Sequence, residues 1–120
     1  MPVLEKIKII YILWHKYIIQ FPKTSRYTLG SIIDKYFLEI IENILIASFL
    51  QRENKQLFVK KSIVALDCLK FFLLISWEIG ALDTKKYVSL SEPLFEIGRM
   101  LGGWNNQLTK QNSPTKVGEK

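Results

Sequence analysis

At 120 residues the chain has room for one domain with a buried core, and a composition 48% hydrophobic and 23% charged excludes a disordered chain. One cysteine and one histidine exclude an internal disulfide and a metal centre built from several such ligands, so no cofactor is expected. A formal charge of +6 and a pI near 9.5 favour a polyanionic partner, nucleic acid before an anionic membrane surface, although the same charge also serves simple solubility.

The first predicted helix runs from about Val3 to Gln20. It stops at Phe21-Pro22, because the residue before proline is pushed out of the α region. Charges interrupt the apolar residues of MPVLEKIKII and no small-residue cleavage site follows, so it does not read as a signal peptide. Val3, Ile7, Ile10, Trp14 and Tyr17 form one apolar stripe, while Leu4, Ile9, Tyr11, Ile12, Leu13 and Ile19 cover much of the remaining surface. A bundle helix needs an apolar stripe only about 100° wide or somewhat more. The excess predicts a homo-oligomer with Tyr11, Leu13 and Trp14 in its interface.

The second helix is expected from about Ser25 to Leu50, capped by Thr24 or Ser25. Its Leu29, Ile32, Ile33, Tyr36, Phe37, Ile40, Ile44 and Ala47 follow the three-four spacing of one face. A polar joint, QRENKQ, leads to a third helix of about Leu57 to Ile79, closed by Gly80. Its strongest apolar run, Phe71 to Trp77, is seven residues long, against the ~20 a membrane helix needs. The expectation is a soluble, cytoplasmic protein with no membrane association.

The linker ALDTKKYVSL precedes the fourth helix, where Ser89 and Glu92 have capping-box spacing and Pro93 falls in the first turn. This helix is expected to end near Leu108 and contains EIGRMLGGW. Each glycine in a helix interior costs about 0.5–1 kcal/mol relative to alanine. The expected offset is close approach of another helix over Gly98 and Gly102, with Trp104 as a large apolar anchor. Residues 109–120 read as a flexible basic tail. The domain is therefore residues 1–108, all-α, an antiparallel up-down four-helix bundle.

The basic excess falls on residues 1–23, on residues 55–86 and on the tail. Lys60, Lys61 and Lys70 belong to the third helix, with Lys55 before it and Lys85 and Lys86 after it. Lys60 and Lys70, ten apart, are expected on nearly one side as a phosphate-facing stripe diluted by Asp67 and Glu78. Lys23, Arg26 and Arg99 are the next candidates. Helix-turn-helix, zinc-finger, RNP and GXXG patterns are missing from the sequence, which points to salt-sensitive binding through phosphates.

A search for catalytic groups finds none. His15 has no evident carboxylate partner, and Cys68 lies among Leu66, Leu69 and Phe71 as an inert thiol. Glu39 and Glu42 share a helix face but lack an E-x-x-H companion, so they read as a solvated face. The protein is not expected to be an enzyme.

EIGRMLGGW resembles the closing helix of the four-helix-bundle family that includes Avd, the accessory protein of diversity-generating retroelements. FPKTSRYTLG, with Pro22, Lys23, Arg26 and Gly30, resembles that family's entry to the second helix. SIVALDCLKFFLLISWEIGAL resembles its third helix, and Tyr87 with Leu90 its lead-in to the last. The likeness spans about residues 5–108. It implies a basic homopentameric barrel, encoded by a bacterium, archaeon or phage. Such a protein binds RNA or DNA and associates with a reverse transcriptase and its template RNA to support mutagenic cDNA synthesis. Bundles encoded in rRNA intervening sequences share the superfamily and give the main alternative, RNA binding without a polymerase. SIIDKYFLEIIEN, where those proteins carry a different pattern, favours the Avd branch. A structural oligomerisation module is the third reading.

Overall fold

The computed structural model describes residues 1–113. Four long helices account for most of them: α1 (Pro2–Tyr17), α2 (Ser31–Phe49), α3 (Arg52–Glu78) and α4 (Thr84–Asn112). No strand occurs among the described residues.

The α1–α2 connection is helical almost throughout. A 3₁₀ turn, Ile18–Gln20, follows α1, and Phe21 with Pro22 is extended. A single α turn, Lys23–Ser25, then widens into a π turn, Arg26–Gly30, that runs straight into α2. The expected Thr24 or Ser25 cap does not form. Pro22 starts the turn instead, its carbonyl accepting the amides of Ser25 and Arg26 at 2.9 Å each.

The α2–α3 joint is shorter than its polar sequence suggests. Leu50 and Gln51 are extended, and α3 begins at Arg52, so most of QRENKQ is helical. These residues are good helix formers, and their polarity marks an exposed first turn. The far end of α3 closes as expected. Gly80 adopts φ +82°, the amide of Ala81 reaches back to Ser76 at 2.8 Å, and that of Gly80 reaches Trp77 at 3.1 Å. This double closure of a helix end requires a left-handed residue, which glycine adopts without a side-chain penalty.

Helix α4 starts five residues before the expected capping box. Asp83 is the cap, its Oδ1 accepting the Lys86 amide at 2.8 Å. Ser89 donates instead to the Lys86 carbonyl at 2.8 Å, and Pro93 lies inside the helix. The helix also continues through residues 109–112, assigned to the tail by sequence; residues 114–120 lie outside the described residues.

The helices pack in cyclic order, α1 on α2, α2 on α3, α3 on α4 and α4 on α1. Cross-helix pairs show that successive helices run antiparallel: Tyr11 with Phe37, Tyr36 with Phe72, Gln56 with Asn105, Trp77 with Tyr87, and Tyr17 with Ser89. Trp14, Phe21, Phe37, Ile33, Leu69 and Leu94 are among the buried core. Trp14 meets Phe21 edge-on at 5.4 Å and stacks on Phe37 at 6.0 Å, and its indole N–H donates to Asp34 Oδ1 at 3.3 Å.

Trp14 is therefore a core residue, not an interface residue. It lies one turn beyond Ile10 on the same inward stripe, and its bulk fills the space between α1 and α2. Tyr11 is half-buried against Phe37, and Leu13 is half-buried against the core. The exposed apolar residues of α1 are Ile9 and Ile12, and Ile19 of the following 3₁₀ turn is exposed as well.

Of the three glycines in α4, only Gly98 faces a neighbouring helix. A Cβ there would lie 3.4 Å from Leu66 of α3 and 3.7 Å from Lys70 Nζ. At Gly102 and Gly103 it would meet nothing within 4 Å, so Gly102 does not serve packing within the subunit. Trp104 is half-buried and anchors α4 as expected.

At 16 residues α1 spans about 24 Å, against about 40 Å for the 27 residues of α3. The bundle thus has four helices over one stretch and three beyond it. A separate small core of Ala47, Val59 and Leu108, flanked by Phe58 and Trp104, fills the three-helix end.

Candidate functional site

The three-helix end is assembled from the first turns of α3 and the last turns of α4. Gln56 Nε2 donates to Asn105 Oδ1 at 3.0 Å and to Thr109 Oγ1 at 2.6 Å, fixing the two helices side by side. Arg52, Lys60 and Lys61 then project from α3, and Arg99 and Lys110 from α4, all exposed. None of the five makes an ion pair among the described residues, where the ion pairs are Lys8–Glu5, Lys70–Asp67 and Lys86–Asp83. Glu53 is the single acidic residue in 50–64 and 99–113. Residues 65–98 are the reverse, with Asp67, Glu78, Asp83, Glu92 and Glu96 outnumbering Lys70, Lys85 and Lys86. Positive charge is concentrated at one end of the α3–α4 pair.

Four of the sequence-predicted cations are already engaged within the fold. The Arg26 guanidinium donates to the carbonyls of Ile19 at 2.6 Å and Phe21 at 3.0 Å, tying the end of α1 to the π turn. Its Nε is buried without a partner. Lys55 Nζ donates to the Ala47 carbonyl at 2.7 Å, closing the last turn of α2. Lys86 bonds Gln20 Oε1, lies 3.6 Å from Asp83 Oδ2 and covers the Tyr17 ring. Lys70 lies 3.9 Å from Asp67 Oδ1 and 5.9 Å over the Phe95 ring.

The expected Lys60–Lys70 stripe is not formed. Ten residues turn a helix through about 1000°, which leaves the two side chains some 80° apart. Lys60 and Lys61 line a groove between α2 and α3, together with Lys35, Glu39 and Glu42. Lys70 lines a different groove, between α3 and α4, with Tyr87, Ser91, Glu92 and Phe95. Lys23 and Lys85 are exposed but lie at the opposite end, by the α1–α2 and α3–α4 turns. Sequence reading missed Arg52 and Lys110, which fell in segments assigned to a joint and to a tail. Helix continuity through both was the signal that would have placed them.

Electrostatic perturbations are confined to structural groups. The Lys86 amide holds the Asp83 carboxyl below its ordinary range, as a capping hydrogen bond does. Burial, followed by the neighbouring Asp34, pushes the Tyr11 phenol up. Among the described residues no group of three or more His, Cys, Asp or Glu side chains comes together as a metal site. No described helix is long and apolar enough to cross a membrane.

Fold and charge together define a small, basic helical-bundle protein whose α3–α4 pair concentrates its positive charge at one end. The bAvd-like family model matches residues 1–108, and the chain belongs to that family. The match ends at Leu108, the last buried residue of α4. Comparison with curated proteins gives no match.

Proposed function

We propose that this protein is a non-enzymatic, oligomeric accessory factor of a diversity-generating retroelement. It binds nucleic acid through phosphates at the basic end and associates with the reverse transcriptase and its template RNA. The observation that carries the reading is that Arg52, Lys60, Lys61, Arg99 and Lys110 all stand toward one end of the α3–α4 pair, exposed and free of ion pairs among the described residues. Family membership supplies the retroelement context. Cations on flexible side chains, without a groove-reading helix, neutralise a sugar–phosphate backbone and release its counterions whatever the base sequence.

The test is a salt titration of binding to labelled RNA and DNA. Affinity falls steeply with salt, with little preference between unrelated sequences. Replacing Arg52, Lys60 and Lys61 together by glutamine flattens the slope by about 0.7–0.9 per lost phosphate contact. Replacing Lys85 and Lys86 leaves it unchanged. A slope that responds to the second pair and not the first would move the site to the opposite end. Co-purification with the retroelement's reverse transcriptase tests the partner directly, and its failure with intact protein would refute that part.

A further inference from the structure

The groove between α2 and α3 encloses about 720 Å³ and combines charges of both signs with apolar surface. Lys35, Glu39 and Glu42 stand on its α2 side, and Lys60 and Lys61 on its α3 side. None of these five takes part in the ion pairs found among the described residues. Ile46 and Val64 supply apolar wall between them. Two aromatic rings also line the groove, each with a lysine ammonium over it. Lys35 Nζ lies 5.4 Å from the Tyr36 centroid, and Lys61 Nζ lies 5.2 Å from that of Phe58. Both lysines are exposed, so each can swing aside and leave its ring face to another planar group.

The charges are ordered along the groove. Tyr36 stacks on Phe72 at 5.9 Å, which sets the register of the antiparallel pair. Lys35 and Tyr36 therefore mark one end, and Glu39 and Glu42 follow along α2. Lys60 and Lys61 fall near the level of Ile46 at the other end, about 15 Å from Tyr36 at 1.5 Å per residue. A simple polyanion fits this order poorly, since its middle meets two carboxylates. A basic peptide fits no better, since both its ends meet lysines. A short run of unpaired nucleotides satisfies the whole order. Its phosphates reach the terminal lysines, its base faces meet the rings and apolar wall, and its amino groups donate to the glutamates. A duplex keeps those faces inside its own stack.

We propose that the α2–α3 groove is a subsite for unpaired nucleotides, so that the protein holds single strands more tightly than duplexes. This rests on the phosphate binding proposed above, because Lys60 and Lys61 form one end of the groove. It adds a stacking contribution that salt does not screen. Adenine, cytosine and guanine carry an amino group, and uracil and thymine do not. Mixed sequences all supply such groups, and a uridine homopolymer forgoes the glutamates.

The experiment follows the fluorescence anisotropy of labelled oligonucleotides of equal length with the full chain over a range of salt. The probes are a mixed-sequence single-stranded RNA, its DNA counterpart, its blunt RNA duplex, oligocytidine and oligouridine. Single strands of RNA and DNA both bind more tightly than the duplex, and oligocytidine more tightly than oligouridine. Tyr36→Leu weakens single-strand binding by about ten-fold. It leaves duplex affinity and the salt slope unchanged, with circular dichroism confirming its helix content. Glu39→Gln with Glu42→Gln removes the preference for oligocytidine, because glutamine also donates and so serves uracil. A duplex bound as tightly as the single strand, on an ordinary salt slope, overturns the groove and leaves the phosphate reading standing. Equal losses for strand and duplex in Tyr36→Leu also overturn it, and binding that ignores salt overturns both readings. Should Tyr36→Leu fail to fold, the wild-type comparisons and the glutamate pair still decide.

Discussion

Gly102 and Gly103 are two interior helix positions where a methyl group would meet nothing within 4 Å. Replacing glycine by alanine there removes backbone freedom from the unfolded chain and adds no native clash. Each substitution should stabilise by about 0.8–1 kcal/mol, so the pair Gly102→Ala and Gly103→Ala should gain about 1.5–2 kcal/mol. For a chain of this size that raises Tm by roughly 3–5 °C per kcal/mol. Gly98→Ala should gain less, since its Cβ would come to 3.4 Å from Leu66. A leucine at position 98 overpacks the α3–α4 contact and costs about 1–3 kcal/mol, whereas at position 102 it is tolerated. Urea unfolding followed by circular dichroism, at two protein concentrations, measures the series. Destabilisation by Gly102→Ala would refute the reasoning, and a concentration dependence of that loss would place a second subunit against α4.

Trp14→Ala should cost about 3–5 kcal/mol in the same assay, because the indole is fully buried between Phe21 and Phe37. A small loss would show that α1 packs elsewhere. Arg26→Gln removes the charged donor shared by the Ile19 and Phe21 carbonyls and should destabilise by about 1.5–3 kcal/mol. The salt slope of RNA binding should not move, and a change in slope would assign Arg26 to the interface after all. Asp83 caps α4 with a lowered carboxyl pKa, so its contribution is present above the unfolded carboxylate pKa and is lost as pH falls through the folded value. Asp83→Asn should keep the cap and reduce the acid sensitivity of Tm; an unchanged acid limb would mean that other carboxylates set it.

The four helices were legible because apolar spacing survives in each, and Gly80 announces the end of α3 by its unique backbone requirement. The boundaries at Arg52 and Thr84 were not. Polar helix formers in QRENKQ and DTKK look like loop when only their hydrophilicity is weighed, and the competing cap at Asp83 outranks Ser89 through its bond to Lys86. Trp14 was misplaced for another reason. With apolar residues around most of α1, periodicity alone cannot say which side faces inward, and only the packing of Phe21 and Phe37 decides it. Net charge was visible in the sequence, but its distribution depended on which lysines the fold ties to carbonyls and carboxylates. Lys55 and Lys86 are spent in that way, while Arg52 is not.

The shortness of α1 also shapes how the molecule moves. Beyond its first residue, three helices enclose only the small cluster around Ala47, Val59 and Leu108, separate from the main core. Fewer buried groups resist opening there, so amides in the last turns of α4 should exchange with solvent through local fluctuations while those near Leu94 await global unfolding. A strand of nucleic acid held across Arg52, Lys60 and Lys110 would quiet the part of the protein that breathes most.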